Sequence, residues 1–175
     1  MTKRLKPGES ILFEPHGPCP LPAAHRGAKR IMDPEDVEEF WRRQDHIAAR
    51  RGCYIFAMRA SAGYTPYYVG KTTRDFRHEA LSDRNLAHFI TPILAGRPGT
   101  GVLFFLAEPR KRGQANSRAI NQLERELIEY AAMANPELRN KSGRREPRWG
   151  IRGILRSGPG QPSLAAQHLK KCLGM

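Results

Sequence analysis

The chain has 175 residues, enough for one ordinary domain with extensions and too few for two full ones. Hydrophobic residues make up 39% of it, which supports a single modest core, and no apolar run approaches the roughly 18 residues of a membrane span. Thirty Lys and Arg against 17 Asp and Glu leave a formal charge of +13, so polyanions are its natural partners.

That charge is concentrated. From Arg139 to Met175 there are nine basic residues and one acidic residue, Glu146. No basic amphipathic helix with aromatic anchors accompanies them, which favours nucleic acid over a membrane surface. The opening residues, Met1 to Pro7, lack the apolar core of a secretory signal. Cys19, Cys53 and Cys172 are odd in number and widely spaced, which fits neither a disulfide framework nor a zinc site. A reducing, cytoplasmic setting is expected, with no obligate protein partner.

Residues 1–32 are rich in Pro, Gly and basic side chains and read as an irregular arm, with one short strand at Ile11 to Phe13. His16, Cys19 and His25 lie near one another there, but their spacing matches no common ligand pattern. Asp33-Pro34 then opens a helix over 33–51, because Asp33 can cap and Pro34 suits the first helical position. Its acidic residues come first and its arginines last, in the order the helix dipole favours. Gly52 ends it.

Cys53 to Met58 is dense in strand formers, Ser61 to Pro66 carries turn chemistry, and Tyr67 to Val69 is a second short strand. The two make an antiparallel hairpin. The pattern from Arg74 to about Leu94 is helical, with Phe76, Leu81, Leu86, Phe89, Ile90 and Ile93 inward. Arg97 to Gly101 breaks it, and Val102 to Ala107 reads as a central strand. After a basic loop at Pro109 to Ala115, a last helix runs from about Ser117 to Ala134, stopped by Asn135-Pro136. The expected fold is α+β: a small three-stranded antiparallel sheet flanked by helices over 52–141, preceded by the arm and helix and followed by a basic extension at 142–175.

The last helix holds an unusual carboxylate. Ile120, Leu123, Leu127, Ile128 and Ala131 form its apolar stripe, and Glu124 falls within about 30–40° of the middle of that stripe. Glu126 and Glu129 point to the wet side. An inward carboxylate must be paired, protonated or bound to a cation. It therefore reads either as a rim residue bonded to a neighbouring base or as a metal ligand. On the hairpin, Tyr54 and Tyr68 can share one face, by packing alone or as part of a site, and Gly70 permits close approach to the backbone.

Gly52-Cys53-Tyr54, Tyr68-Val69-Gly70-Lys71, a helical Arg, Leu123-Glu124 to Ile128 and Asn135-Pro136 to Asn140 follow one another in order. This series resembles the GIY-YIG nuclease family, which includes the excision-repair incision subunit and some homing and restriction endonucleases. The resemblance covers residues 52 to about 141. It implies a metal-dependent endonuclease that hydrolyses phosphodiester bonds in DNA, with RNA the lesser expectation. Glu124 would hold one Mg²⁺ or Mn²⁺, and Tyr54 or Tyr68 would orient or deprotonate the attacking water. Lys71 and the helical Arg would hold phosphate oxygens, and Asn140 would support the site. Gly70, Arg74, Asn140, Arg144, Arg145 and Arg148 are the further expected nucleic-acid contacts.

Three departures from the family stand out. Cys53 replaces the usual Ile. The gap from Tyr54 to Tyr68 is long, implying an extended hairpin loop at Arg59 to Pro66. The family's Arg position, near His78 to Ala80, holds no Arg, so Arg77 is the nearest match and Arg74 the next. His78 and His88 are further candidates for phosphate contact or proton transfer. The alternative function is a nucleic-acid-binding module that keeps the fold without cutting; a small basic RNA- or ribosome-associated protein is a third.

Overall fold

Apolar and aromatic residues alternate along three segments that pair into one antiparallel sheet, and a fourth strand joins them from the N-terminal arm. The computed structural model describes residues 11–26, 29–61, 63–109, 113–140, 161 and 163–172. Strand β1 is Glu14–Pro20, β4 is Gly52–Ala60, β5 is Gly63–Thr72 and β6 is Thr100–Ala107. Their order across the sheet is β1-β6-β4-β5. A separate two-stranded ribbon joins β2 (Ala24–Arg26) to β3 (Lys29–Ile31).

The α+β class is therefore as expected, but the sheet has four strands and not three. The difference lies in the arm. Its strand falls at Glu14–Pro20, later than the apolar Ile11 to Phe13, and runs antiparallel to β6 from Glu14 opposite Ala107 to Pro20 opposite Val102. Three Pro and one Gly hid it, yet an edge strand tolerates such residues. Cys19 within it and Leu21 directly after it are buried.

Helix α1 (Pro34–Arg43) starts as expected. The Asp33 side chain accepts from the Asp36 N–H, and the Asp36 side chain accepts from the Asp33 N–H in return. The helix stops at Gln44, and a short α2 (Asp45–Ala48) completes the segment. Phe40 and Trp41 on α1 pack on Phe105 in the main core, a cluster that also holds Phe56, Phe76, Leu103 and Leu94. Truncating so enclosed a ring as Phe105 to Ala costs about 3–5 kcal/mol.

The hairpin differs from expectation too. Strands β4 and β5 run on through the turn-like sequence until Ala60 pairs with Gly63. The extra length is absorbed by longer strands and by an irregularity between Phe56 and Ala57, where Tyr67 is the surplus residue on β5. Ser61 takes a positive φ of 51° at the tip.

The expected helix from Arg74 to Leu94 is broken into four turns of different pitch. Asp75 caps α3 (Phe76–Glu79) and Ser82 caps α4 (Asp83–Asn85). A π-helical turn, Leu86–Ile90, leads into α5 (Thr91–Gly96). Helix α6 is Ser117–Ala134, started by the Asn116 side chain on the Ala119 N–H. It lies on the opposite sheet face, where Ile128, Ala131 and Leu138 enclose Val69. Between β6 and α6, the buried Glu108 anchors the loop by accepting from Arg51 Nε at 2.5 Å and from the Asn116 N–H at 2.9 Å.

The chain divides into compact units at Met1–Arg144 and Arg145–Met175. Within the second, α7 (Leu164–Cys172) begins where Ser163 accepts from the Ala166 N–H.

Candidate active site

Register decides which side chains meet. Tyr54 lies opposite Gly70 on β5, and Tyr68 lies opposite Phe56. Tyr54 and Tyr68 are thus diagonal neighbours on one face, with ring centroids 6.2 Å apart. Gly70 has a specific duty here. A Cβ on it would sit 2.2 Å from Cζ of Tyr54 and 2.3 Å from its hydroxyl, so only glycine lets the phenol cross β5. The face of Gly70 that was expected to admit a ligand is covered by Tyr54.

Tyr54 is almost fully buried, and its hydroxyl accepts from Asn85 Nδ2 at 2.7 Å. Burial pushes this phenol far above its ordinary value. The charge of Tyr68 and of Glu79 adds to the rise, and the Asn85 bond opposes it. Tyr68 is half-buried and stacked face to face on Phe89, with centroids 4.0 Å apart. Its phenol is also raised, first by burial. The neighbouring Tyr54 hydroxyl and the charge of Arg84 pull it down, while Glu124 and Glu79 push it up.

On the other face of β5, Lys71 stands opposite Cys53 and donates to Glu124 Oε2 at 2.6 Å. The Glu124 side chain is 18% exposed, at the rim where α6 crosses the edge strand. Its inward position thus has a partner, the rim arrangement weighed above. Cys53 is buried with Sγ toward the Ile120 carbonyl at 3.5 Å, and burial together with Glu124 pushes its thiol up to about 12.

Asn140 closes the free edge of β5. Its Oδ1 accepts from the Val69 N–H at 2.9 Å, and its Nδ2 donates to the Val69 carbonyl at 2.7 Å. The side-chain amide pairs with the strand as a neighbouring backbone would. Asn135 donates to the Pro66 carbonyl and the Arg139 N–H to the Tyr67 carbonyl, so residues 135–140 lie along the same edge. Here Asn140 bonds the backbone between Tyr68 and Gly70.

The arginines fall differently from expectation. Arg77 is exposed and bonded to Glu38 of α1 at 2.7 Å. Arg74 is exposed, and its N–H bonds the Thr72 hydroxyl at 3.1 Å. The guanidinium whose charge acts on Tyr68 belongs to Arg84. His78 pairs with Asp75 at 2.6 Å as part of the α3 cap, whereas the exposed His88 is one helical turn beyond Arg84. Arg84 and Asn85 were not singled out from sequence. The signal that could have found them is Ser82-Asp83, which restarts the helix and resets its face. Arg144, Arg145 and Arg148 lie outside the described residues, as does Trp149.

Among the described residues no group of three or more His, Cys, Asp and Glu could cage a metal ion. No helix among them is long and apolar enough to cross a membrane. No protein-family model matches the chain, and no curated protein or solved structure matches it either.

Proposed function

We propose that this chain is a divalent-metal-dependent endonuclease that hydrolyses phosphodiester bonds in DNA at the β5 edge. The observation that carries the reading is the partly exposed Lys71–Glu124 ion pair on β5, the edge strand that also bears the half-buried Tyr68. A partly exposed phenol on that strand, within the field of Arg84 and Glu124, can hold a water beside a phosphate. The net charge of +13 supplies the attraction for that substrate.

The donor set fits Mg²⁺ or Mn²⁺. It is one partly exposed carboxylate, Glu124, with no soft ligand at the rim among the described residues: Cys53 is buried and its thiol is pushed up to about 12. Hard cations of this kind keep several waters and complete their shell with phosphate oxygens. Bound there, the cation would polarise the scissile phosphate and stabilise the leaving oxygen. Lys71 then turns from Glu124 toward a phosphate oxygen, and Arg84 offers its fork of donors to another. Tyr68 orients the attacking water and, once ionised, accepts its proton. The new P–O bond forms as the bond to the leaving oxygen breaks.

The Lys71–Glu124 ion pair also favours a second reading, a module that binds nucleic acid without cutting, because a carboxylate already paired does not require a cation. Incubation with supercoiled plasmid separates the two. Nicking in Mg²⁺ that stops with EDTA is expected. Glu124→Gln and Glu124→Ala should cut about 10²-fold more slowly, the scale of one key electrostatic element, while still binding DNA. No metal-dependent nicking by the unaltered chain would leave the binding module.

A further inference from the structure

Strand β1 meets residues 44–50 along a seam of polar side chains. Cys19 Sγ donates to Gln44 Oε1 at 3.3 Å, the His16 and His46 rings lie 5.8 Å apart, and Arg50 Nη1 donates to Glu14 Oε2 at 2.5 Å. Arg50 Nη2 donates in turn to the Glu108 carbonyl at 2.7 Å, just past the end of β6. His16 itself lies opposite the buried Phe105 of β6. Its Nε2 is buried with no hydrogen-bond partner among the described residues. Glu14 Oε2 is 3.9 Å from that nitrogen, too far for a hydrogen bond, and is engaged by Arg50. With neutral rings the seam is one ion pair and one ring contact. A proton on His16 puts charge beside Arg50 and His46, on a ring whose Nε2 has no acceptor, which is costly.

We propose that this seam is an acid-sensitive latch on the N-terminal arm: protonation at His16 and His46 sets like charges against each other and against Arg50, loosens β1 and uncovers the outer edge of β6. The latch is independent of the nuclease reading. Burial holds the His16 imidazole below its ordinary value, Arg50 and His46 lower it further, and Glu14 on the same strand opposes them. On α2 the remaining charged residue is Asp45, which is exposed. The native arm therefore prefers neutral His16. That preference contributes its full stability above the ordinary imidazole value, and the contribution is lost as the pH falls through that value toward the lower folded one. Because β6 lies between β1 and β4, release of β1 turns β6 into an edge strand.

Amide hydrogen exchange of the full chain, followed by NMR and expressed as protection factors so that the pH dependence of intrinsic exchange drops out, tests the latch. Between pH 7.5 and pH 5.5, where imidazoles take up protons, the β1 amides bonded to β6 should lose about three- to tenfold in protection, the scale of two unit charges about 6 Å apart near a surface. Amides of the β4–β5 ladder, on the far side of the sheet, should keep theirs to within about twofold, because the opening is local. His16→Phe keeps an aromatic ring opposite Phe105 and cannot be charged, so its β1 protection should not respond to pH. His46→Gln, at an exposed position, removes the facing charge without touching the buried nitrogen. It should shrink the loss, and it decides the matter where the phenylalanine variant does not fold. An equal loss in the β4–β5 ladder would show opening of the whole sheet and overturn the latch. So would a β1 strand that ignores pH, or the full response persisting in either variant.

Discussion

At the scale of single residues, the two arginines in question have different surroundings. Arg77 is bonded to Glu38 at the surface, while the charge of Arg84 reaches the Tyr68 hydroxyl. Arg84→Ala should therefore lower kcat/KM for plasmid cleavage by about 10- to 100-fold, as the loss of a charged donor to phosphate does, and Arg77→Ala should stay within about twofold. Equal losses in both variants would remove Arg84 from the site. The buried phenol of Tyr54 also ties stability to pH. Its folded value is raised above that of the unfolded chain, near 10, so the native state prefers the neutral form. That contribution is complete below pH 10 and is lost as the pH rises through the folded value. Urea unfolding from pH 8 to pH 11.5 should show stability falling above pH 10, and Tyr54→Phe should fall less steeply. Tyr54, Tyr68 and Glu124 were legible in the sequence because strand alternation and helix periodicity each fix a face. Asn85 was not, since what marks it is a bond to the Tyr54 hydroxyl, from a distant strand.

At the scale of elements, legibility followed regularity. Helix α6 has one unbroken 3.6-residue pattern, and its limits matched expectation at both ends. The segment 74–94 also shows apolar spacing, but Asp75 and Ser82 each restart the helix and the π-helical turn shifts the face again. The arginine nearest the position the resemblance implied is Arg77, whereas the restart at Ser82 puts Arg84 on the turn beside Asn85. In the hairpin, turn-forming residues at 61–66 were read as loop, whereas cross-strand pairing carries the ladder to Ala60 and Gly63. Strand β5 has little tolerance where Tyr54 crosses it. Gly70→Ala would place a methyl carbon 2.2 Å from the Tyr54 ring, so the ring must move or the strands must part. Overpacking of this kind costs about 1–3 kcal/mol. The variant should unfold at correspondingly lower denaturant and lose cleavage at least as fully as Tyr54→Phe. A Gly70→Ala protein with unaltered activity and stability would show that the phenol need not lie there.

At the scale of the whole molecule, the N-terminal arm belongs to the sheet. Strand β1 covers the outer edge of β6, whose Val102, Leu103 and Phe105 are fully buried. Deleting residues 1–32 would uncover a long apolar edge, the kind that pairs with other chains. The shortened protein should aggregate at micromolar concentration in light scattering, and a soluble, monomeric product would show that β6 is protected some other way. The C-terminal half of the charge raises a different question. The chain leaves Asn140 at the free edge of β5, beside Tyr68 and Gly70, and nine of its 30 basic residues follow from Arg139 onward. Residues that leave the candidate site with that charge should contact phosphates. Each such contact releases counterions, so the logarithm of affinity falls with the logarithm of salt at a slope of about −0.9 per contact. Replacing Arg144, Arg145 and Arg148 by Ala should flatten the slope by roughly two to three and weaken all sequences alike, because phosphates carry no sequence. DNA affinity across a salt series, for the unaltered chain and the triple variant, measures this directly. An unchanged slope would place the path of the DNA away from this segment and leave the attraction to the basic residues of Met1–Arg144.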